Sequence, residues 1–569
     1  MTVTPGYHDR INPDLLGRIP LQARAVLEIG CGAGALGAAF KARNPEAIYV
    51  GVEQLAGPAE LAAERLDHVI RGDAEDPGLL LPPLPPIDCL IYGDVIEHFR
   101  DPWATIARHL AWLDRDGVLL ACIPNVQHWS VLAELLHGRW PVAEEGLFDR
   151  THLRWFTRQG IQALVEGSGL HLHELTPRIF RPEAAEAFVR QLEPALKGLG
   201  IDRGELLAGV APLQYLVRAS RRPRIPLHLD ALTLPPQAGM VDVRMAQPLR
   251  ALFSQPAISF RCGSGSLNLL PAAATLPRLL LWQRPMLTLE DSLEKLRLLL
   301  RNGYVVVSDY DDDPDRWPAI AANRHLCFTG VHAVQVSTQP LAERIGPLNP
   351  EVAVFANAIE ALPESRPAES ESELQRRPLR LFFGALNRQA DWSPWMGSLN
   401  EVLTADPDRW EVEVVHDRDF FEALAIPGRT FTPTCDYPTY RRLMGRCDIA
   451  WLPLADTPFN CCKSDLKALE AAAHGLAILA SPTVYAATFE AGLGGCLFDS
   501  AAELKAALAG WRADPLAMQE LGQRARGWVA ANRMHRHQVA DREAWYRSLW
   551  DRRHDLTSRL LDRVPELHP

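Results

Sequence analysis

The stretch Val26-Leu27-Glu28-Ile29-Gly30-Cys31-Gly32-Ala33-Gly34 decides the fold of the first part of the chain. Its mostly apolar beginning predicts a buried parallel strand, and its glycines predict the turn that follows the strand. A helical pattern begins at once through Leu36, Phe40 and Ala42. Because a strand, a glycine turn and a helix N-terminus let the backbone approach a ligand closely, this stretch indicates a site for a nucleotide-like molecule.

Two kinds of ligand suit this pattern. Gly32-x-Gly34-x-x-Gly37 matches the fingerprint of dehydrogenases that bind NAD. Glu28, however, creates the pattern Glu-x-Gly-x-Gly-x-Gly, which resembles motif I of class I S-adenosylmethionine (SAM) methyltransferases. Glu53 follows the next apolar strand, Ile48–Val52, and an acid there binds ribose hydroxyls in either family. The glycine turn and Glu53 therefore leave both ligands open.

Residues farther along the chain favour SAM. Asp73 lies where methyltransferases place an acid beside the adenine amino group. The strand Asp88–Tyr92 runs into Gly93-Asp94-Val95-Ile96-Glu97-His98, which resembles the D-V-[IL]-E-H segment of class I SAM methyltransferases acting on small molecules and sugars. A dehydrogenase has no reason to carry this segment. The resemblance implies SAM as the cofactor, bound by Glu28, Gly30, Gly32, Gly34, Glu53 and Asp73.

A later block, Gly146–Thr157, completes this resemblance, which covers roughly residues 5–218. The block is similar to a subgroup often found in surface-polysaccharide gene clusters. A sulfonium methyl is already activated, so the protein mainly aligns the acceptor oxygen or nitrogen for in-line attack. For a hydroxyl acceptor a base with a near-neutral pKa helps, and His98 and His152 are the candidates, with Asp94 as a third candidate catalytic residue. The alternative for each histidine is a structural role, in which it only forms hydrogen bonds within its loop.

A second candidate site lies in the stretch Lys463–Gly475. Its alanine-rich body predicts a helix, and Gly475 predicts the end of that helix. Lys463, Lys467 and Glu470 are spaced i, i+4, i+7 and are predicted to share one helical face. Two cations at a helix N-terminus suit a diphosphate, and an acid one turn farther along suits ribose hydroxyls.

This stretch resembles the nucleotide-sugar-binding domain of GT-B glycosyltransferases, in particular the retaining group with an E-x7-E motif. Glu470 matches the second Glu, which binds the donor ribose, but Cys462 occupies the place of the first. Gly384 and Arg388 follow the first strand of the domain, where the family places a glycine turn and a basic residue near the diphosphate. Asp309–Asp313 contains a DxD-like run, for which we favour a solvated loop or an acceptor contact. The resemblance implies no bound metal ion, and we predict none.

Length and composition set limits on the class of protein. The 569 residues predict two or three domains, and the net charge of −11 argues against nucleic acid as a partner. Ten cysteines without a CxxC spacing predict a reduced, cytoplasmic compartment. We see no signal peptide in residues 1–12 and no apolar run of the roughly 18–20 residues that span a bilayer. A peripheral contact with the inner membrane stays open.

Alternating apolar strands and amphipathic helices predict an α/β fold, in which a Rossmann-like methyltransferase domain precedes a GT-B pair of Rossmann-like domains. A basic stretch and a polar stretch mark the predicted boundaries. The predicted parts are a methyltransferase domain at 1–222, a linker at 223–240, an acceptor-side domain at 241–362, a polar linker at 363–378, a nucleotide-sugar-binding domain at 379–534 and a helical tail at 535–569.

The sequence therefore predicts a bifunctional enzyme of surface-glycan biosynthesis. It would transfer a methyl group from SAM to a sugar hydroxyl or amine, and a sugar from a UDP- or GDP-sugar to a glycan or lipid-linked glycan. Because the first acid of the E-x7-E motif is absent, one alternative is an active methyltransferase with a glycan-recognition module in the second half. A second alternative is an NAD-dependent dehydrogenase. The sugar, the acceptor, the methylated atom, the stereochemical outcome and the oligomeric state are not determined by the sequence.

Overall fold

The structure, a computed structural model, describes residues 9–235, 239–271 and 275–568. The chain divides into two compact units. The first holds the residues up to Pro226 together with Phe253–Ile258, and the second holds Leu227–Leu252 together with the residues from Ser259 onward. Strands alternate with helices in both units, which confirms the predicted α/β fold class.

The first unit is built on one seven-stranded sheet. Its strands are β1 Ala25–Ile29, β2 Ile48–Glu53, β3 His68–Arg71, β4 Ile87–Gly93, β5 Leu113–Pro124, β6 His171–Arg178 and β7 Gln214–Ser220. They are arranged in the order β3-β2-β1-β4-β5-β7-β6. β1 to β5 pair in parallel, whereas β7 is antiparallel to both β5 and β6.

The helices of this unit cover both faces of its sheet, and apolar side chains form a separate core on each face. Every residue of β1 is buried, as expected for the central strand of a helix-covered parallel sheet. The helices are Pro13–Leu16, Ala35–Arg43, Ala56–Ala63, Pro102–His109, Trp129–Leu136, Arg158–Gly167, Pro182–Leu199 and Arg203–Val210, with a 3-10 turn at Ile96–His98.

The strand order places two of the quoted motifs at one edge of this sheet. The chain builds β2 and β3 on one side of β1 and then returns to place β4 on the other side. In open α/β sheets, ligands bind beyond the carboxyl ends of the strands at such a switch point. Gly30–Gly34 follows β1 and Asp94–His98 follows β4, so both motifs begin at the switch point.

The second unit contains two six-stranded sheets. The strands of the first are β8 Leu227–Thr233, β9 Ile258–Ser264, β10 Arg278–Gln283, β11 Val305–Tyr310, β12 Ala333–Val336 and β13 Val352–Val354, in the order β13-β12-β11-β10-β8-β9. The strands of the second are β14 Leu379–Gly384, β15 Trp410–Val415, β16 Arg429–Thr432, β17 Ile449–Leu452, β18 Ala477–Ala480 and β19 Cys496–Leu497, in the order β16-β15-β14-β17-β18-β19. All pairs in the latter sheet are parallel. Two successive Rossmann-like sheets are the GT-B arrangement predicted from the sequence.

Helices connect the strands of these two sheets and form the end of the chain. They are Gln247–Phe253, Leu293–Arg301, Pro318–Ala322, Leu326–Thr329, Gln339–Ile345, Glu371–Arg376, Gln389–Trp392, Met396–Ala405, Arg418–Ala423, Tyr437–Met444, Leu466–Ala473, Pro482–Glu490, Ala501–Ala513, Pro515–Asn532, Val539–Asp551 and Arg553–Arg563. Leu560, Val564 and Leu567 from the tail are buried in the core of the β8–β13 sheet. None of the helices in the described ranges combines the length and apolar character needed to cross a membrane.

The predicted linker at 223–240 is wrong over part of its length. Its residues Leu227–Thr233 form the buried strand β8, which pairs in parallel with β10. His228 and Asp230 interrupt the apolar pattern of this strand. Both are buried because Asp230 accepts hydrogen bonds from His228, Arg261 and Tyr304. The strand was not predicted because a charged residue in it has partners that are visible only in the folded protein.

The polar linker predicted at 363–378 also contains regular structure. Glu371–Arg376 is a helix, and Ser370 and Glu373 form a capping box at its N-terminus. The side chain of Leu374 is buried. Such a helix has almost no apolar periodicity, so its capping residues are the only local signal that predicts it.

Candidate functional site

The glycine turn after β1 has the backbone conformation that the ligand-site prediction requires. Gly30, Gly32 and Gly34 have positive φ angles of 73°, 54° and 77°. Gly34 is the N-cap of the helix Ala35–Arg43, and no side chain caps that helix end. The N-terminus of this helix therefore opens at the switch point of the sheet, where its dipole and backbone N–H groups suit a polar ligand.

Two predicted cofactor residues follow the neighbouring strands β2 and β3. Glu53 ends β2, and its carboxylate accepts hydrogen bonds from the backbone of Gly32 at 2.9 Å and of Leu55 at 2.8 Å. Asp73 follows β3, is half-buried, and accepts a hydrogen bond from the Glu75 backbone at 2.8 Å. Because β1, β2 and β3 are parallel neighbours, the glycine turn, Glu53 and Asp73 lie along one edge of the sheet. Contact of Glu53 with the ribose and of Asp73 with the adenine stays a prediction.

Glu28 lies inside the sheet. Its side chain is buried and accepts a hydrogen bond from the Tyr49 hydroxyl at 2.9 Å. Burial, with a smaller contribution from Glu53, raises the pKa of Glu28 to about 8. Its partner Tyr49 was not singled out from the sequence, because only strand pairing shows that β1 and β2 are adjacent. Contact of Glu28 with SAM stays a prediction.

Asp94 begins the segment after β4 and has a positive φ of 54°. Its carboxylate accepts a hydrogen bond from the Gln214 amide at 2.5 Å. Gln214 reaches this position because β7 runs antiparallel to β5, so the first residue of β7 pairs with the last residue of β5. Burial raises the pKa of Asp94 to about 6.

The structure brings together the two predicted histidines. The Glu97 carbonyl accepts hydrogen bonds from the backbone of Leu153 at 2.8 Å and of Arg154 at 3.0 Å, which fastens the second block to the first. The rings of His98 and His152 then meet edge to face, with centroids 4.8 Å apart. Burial lowers the pKa of both imidazoles, and the neighbouring His98 lowers that of His152 further. Both are thus held in the neutral form that accepts a proton or coordinates a metal ion.

Residues around these histidines were not recognised as site residues from the sequence. Thr151 contacts the Nδ1 atom of His98 through its hydroxyl at 3.0 Å, and the same hydroxyl donates to Asp149 at 2.6 Å. Glu97 was quoted in the Asp94–His98 segment without a catalytic role. In the structure its side chain is 2% exposed and its Oε1 atom lies 3.9 Å from His152 Nε2. The sequence signal for all three was their position inside the quoted blocks.

In the second unit, the prediction of one helical face for Lys463, Lys467 and Glu470 is wrong. The helix begins at Leu466, after the 3-10 turn Asn460–Cys462, so Lys463 precedes it. The Lys463 ammonium pairs with Asp312 and lies 4.3 Å from the centroid of the Phe459 ring. Lys463 is positioned by the preceding turn and by its ion pair with an aspartate that is distant in sequence. The spacing of neighbouring residues shows neither of these.

Lys467 and Glu470 do lie on the helix, and both have protein partners. The Lys467 ammonium donates to the carbonyl of Gly384, the last residue of β14. Burial lowers the pKa of Lys467 to about 8. Glu470 is buried and accepts a hydrogen bond from the Tyr437 hydroxyl at 2.6 Å. The predicted ribose contact of Glu470 therefore competes with this internal bond.

Arg388 lies near the same strand end. Its guanidinium donates to Asn460 at 2.7 Å and to Asp391 at 3.1 Å. Asn460 immediately precedes the Cys461-Cys462 pair, and the Cys462 side chain is buried. Gly384, Arg388 and Lys467 thus gather where β14 and β17 adjoin, which is the switch point of this sheet.

The Asp309–Asp313 run is not a solvated loop. Asp309, Asp312 and Asp313 are buried, and each pairs with a cation: Arg244, Lys463 and Arg344 respectively. Asp311 pairs with Arg284 at 2.5 Å. The expectation of a solvated loop was wrong because these cations are distant in sequence and approach the run only in the folded protein.

Comparison with known proteins supports the assignment of the first unit. Residues 8–175 match the model of a methyltransferase domain family. No curated protein sequence matches the chain. Among solved structures, the plantazolicin methyltransferase BamL is 14% identical, with a TM-score of 0.26, over 37% of this chain and 84% of BamL.

Two further solved structures resemble a larger part of the chain. HepE of Anabaena, solved with UDP and glucose, is 15% identical, with a TM-score of 0.38, over 56% of this chain and 99% of HepE. TarM is 8% identical, with a TM-score of 0.37, over 47% of this chain and 54% of TarM. The family match, together with the glycine turn and the acids beside it, identifies residues 8–175 as a methyltransferase domain, and the chain as an enzyme.

Proposed function

We propose that the first unit transfers a methyl group from SAM to an oxygen, or an amine nitrogen, of a sugar in a glycan. The observation that carries this proposal is the common edge shared by the glycine turn, Glu53 and the Asp94–His98 segment. SAM would supply an activated sulfonium methyl there. The uncapped helix after Gly34, with Glu53 and Asp73 along the neighbouring strand ends, fits the polar groups of such a cofactor.

The residues after β4 would act on the acceptor. An acceptor hydroxyl has to lose its proton as its oxygen attacks the methyl carbon. His98 and His152 are neutral because burial lowers their pKa values, so either ring has a lone pair that can take this proton. Asp149 is the acid whose charge acts on both rings, and it favours the imidazolium that forms when either ring takes the proton.

Exposed aromatic side chains in the part of the chain that flanks His152 support a sugar as the acceptor. Trp140 and Trp155 are 42% and 50% exposed, although large apolar side chains usually avoid water. Trp140 contacts both Trp155 and Phe148 edge to face, with centroids 5.8 and 5.2 Å apart. Such an exposed patch marks a binding surface, and flat rings suit the apolar face of a pyranose.

We further propose that the second unit binds a UDP- or GDP-sugar and transfers its sugar to the same class of acceptor. The supporting observation is the group Gly384, Arg388 and Lys467 at the switch point of the β14–β19 sheet. The side chains of Arg388 and Lys467 are cations that suit a diphosphate. The alternative, a glycan-recognition module without transferase activity, is favoured by Cys462, which is buried where the E-x7-E motif has its first acid.

The two proposals are tested together on the full chain. Labelled SAM and a panel of labelled nucleotide sugars are supplied with purified surface glycans and lipid-linked glycans as acceptors. We expect methyl label in the glycan with wild-type protein and at least tenfold less with Glu53→Ala. Absence of methyl label with every acceptor, together with no SAM binding in calorimetry, would refute the first proposal. NAD binding in place of SAM would instead favour the dehydrogenase.

The same experiment separates the alternatives for the second unit. Sugar incorporation that falls with Lys467→Met supports a glycosyltransferase. Lys505→Met is the matched control, because Lys505 lies on the helix Ala501–Ala513 and pairs only with Glu401 among the contacts described. Binding of glycan without binding of UDP or GDP would support the recognition module.

We place the enzyme, as part of this proposal, in the cytoplasm at the stage where a surface glycan is assembled, with a peripheral membrane contact where the acceptor is lipid-linked. All ten cysteines are free, in keeping with a reducing compartment. Fractionation of cells that express the chain would test this placement. Recovery of the protein from outside the cytoplasmic and membrane fractions would contradict it.

A further inference from the structure

Three side chains at the carboxyl end of β4 present ligand atoms to one point. Glu97, His98 and His152 each offer one atom, and these atoms all lie within 4.8 Å of one another. Two imidazole nitrogens and one carboxylate oxygen at this spacing are a common donor set for first-row transition metals. Neither the family match nor the sequence analysis assigned a metal ion to these residues.

One oxygen of the buried Glu97 carboxylate lacks a hydrogen-bond partner within the described residues. The side chain is 2% exposed, and within the described residues its Oε2 atom has no hydrogen-bond partner. A buried carboxylate oxygen without a partner is unfavourable, so native proteins usually give it a cation or a proton. Its backbone carbonyl accepts hydrogen bonds from Leu153 and Arg154, which fixes the main chain at this position.

The two imidazoles are oriented as metal ligands usually are. The Nδ1 atom of His98 is occupied by the carbonyl at 3.3 Å and the hydroxyl at 3.0 Å of Thr151, which leaves Nε2 for a ligand. The His152 ring has a hydrogen bond with the Leu147 backbone, and its Nε2 atom lies on the Glu97 side. In metalloproteins, a hydrogen bond at one ring nitrogen commonly fixes the other on the metal.

We propose that Glu97, His98 and His152 bind one divalent transition-metal cation of the Zn²⁺, Co²⁺ or Fe²⁺ type. Three protein ligands leave at least one coordination position open, as in catalytic rather than structural sites. The ion also satisfies the Glu97 carboxylate, which otherwise faces the negative charge of Asp94 nearby. This assignment replaces our prediction from sequence that the chain has no metal site.

The role of the metal rests on the proposed methyltransferase function, whereas the binding site itself does not. An acceptor hydroxyl in the open position would lose its proton to solvent water more readily, because a bound cation lowers the pKa of the oxygen that it coordinates. The oxygen would then form its bond to the methyl carbon as the carbon–sulfur bond of SAM breaks and the sulfur becomes neutral. Coordination uses the imidazole lone pairs that a general base needs, so in the metal-bound protein the cation takes over the role proposed above for the histidine base.

The test is a metal titration of the full chain. Protein stripped with a chelator is titrated with Co²⁺, and the visible ligand-field absorption is recorded. We expect one equivalent, and a loss of affinity of at least a hundredfold in His98→Ala and in His152→Ala. His137→Ala is the matched control, because His137 is exposed and contacts only its own helix among the bonds described. Thr151→Val, which removes the hydroxyl behind His98, is expected to weaken Co²⁺ binding about tenfold.

The outcomes are separable. Wild-type protein without a saturable Co²⁺ signal, or with a signal unchanged in a folded His98→Ala/His152→Ala double variant, overturns the metal site. Circular dichroism and SAM calorimetry show whether each variant is folded. If one equivalent binds through these residues but no acceptor is methylated, the site stands and the proposed function fails. If chelator-treated protein methylates at the full rate, the proposed function stands and the metal has no part in it.

Discussion

Gly30→Ala tests whether the turn after β1 is shaped by contact with the segment after β4. Gly30 has a φ of 73°, and a Cβ atom built there would lie 2.3 Å from the Cγ2 atom of Val95. Ordinary contacts between carbon atoms are about 3.5–4.0 Å. The new methyl group therefore adds a severe overlap to an unfavourable backbone conformation.

The two costs can be estimated separately. A non-glycine residue in the left-handed region costs roughly 1–2 kcal/mol. Insertion of a methyl group into packed surroundings costs typically about 1–3 kcal/mol. We therefore expect Gly30→Ala to lower the free energy of unfolding of the first unit by about 2–5 kcal/mol.

Gly138→Ala is the matched control. Gly138 has a similar φ of 68°, but a Cβ atom there would meet nothing within 4 Å. It carries the backbone cost alone, so the difference between the variants measures the overlap with Val95. Urea unfolding followed by tryptophan fluorescence gives both values, and SAM calorimetry provides a second readout. Because Val95 lies between Asp94 and Glu97, we expect Gly30→Ala, unlike the control, to weaken SAM binding at least tenfold. Equal destabilisation by the two substitutions would refute the reasoning.

Three further predictions concern buried ionisable groups. Burial raises the pKa of Glu28 to about 8 in the folded protein. The stability that its neutral form contributes is therefore complete below about pH 4.5 and is lost as pH rises through 8, by up to about 5 kcal/mol. Urea unfolding of Glu28→Gln between about pH 5 and 9 should lack this loss. Despite its burial, the hydrogen bonds of Asp230 lower its pKa to about 2. Its charged form therefore stabilises the fold above about pH 4, and this contribution of about 2 kcal/mol is lost as pH falls towards 2. An Asp230→Asn variant whose free energy of unfolding keeps the same acid dependence would contradict this assignment. Tyr437→Phe removes the hydroxyl that donates to the buried Glu470 carboxylate and should cost about 2 kcal/mol in thermal unfolding, whereas Tyr440→Phe, which loses only a 3.4 Å contact, should cost less than about 1 kcal/mol. Equal costs for the two phenylalanine variants would show that the Glu470 bond contributes little.

Local patterns in the sequence were sufficient for the first strand of the methyltransferase domain and for the turn and helix that follow it. A strand of apolar residues, a glycine turn and a helix are defined by neighbours in the chain, so Val26–Gly34 predicted β1, the turn and Ala35–Arg43. The Asp94–His98 segment likewise predicted the methyltransferase class, and the family match over 8–175 confirms it. Both signals depend on the spacing of adjacent residues, which the sequence records directly.

Other predictions failed where partners are distant in the chain. β8 was taken as a linker, because the arginine and the tyrosine that pair with its buried Asp230 are contributed by other segments. Lys463 was placed on a helix, because periodicity does not show the turn before Leu466. Neither error could be corrected from composition or spacing alone.

The sequence by itself placed His98 and His152 in a methyltransferase domain and indicated that each could act as a catalytic residue. Only the tertiary structure decided that they meet, because backbone bonds from Leu153 and Arg154 to Glu97 join two distant blocks. It also showed a buried Glu97 oxygen without a hydrogen-bond partner in the described residues. The types of donor atoms are set residue by residue, whereas a ligand site depends on distances that arise only when the chain packs.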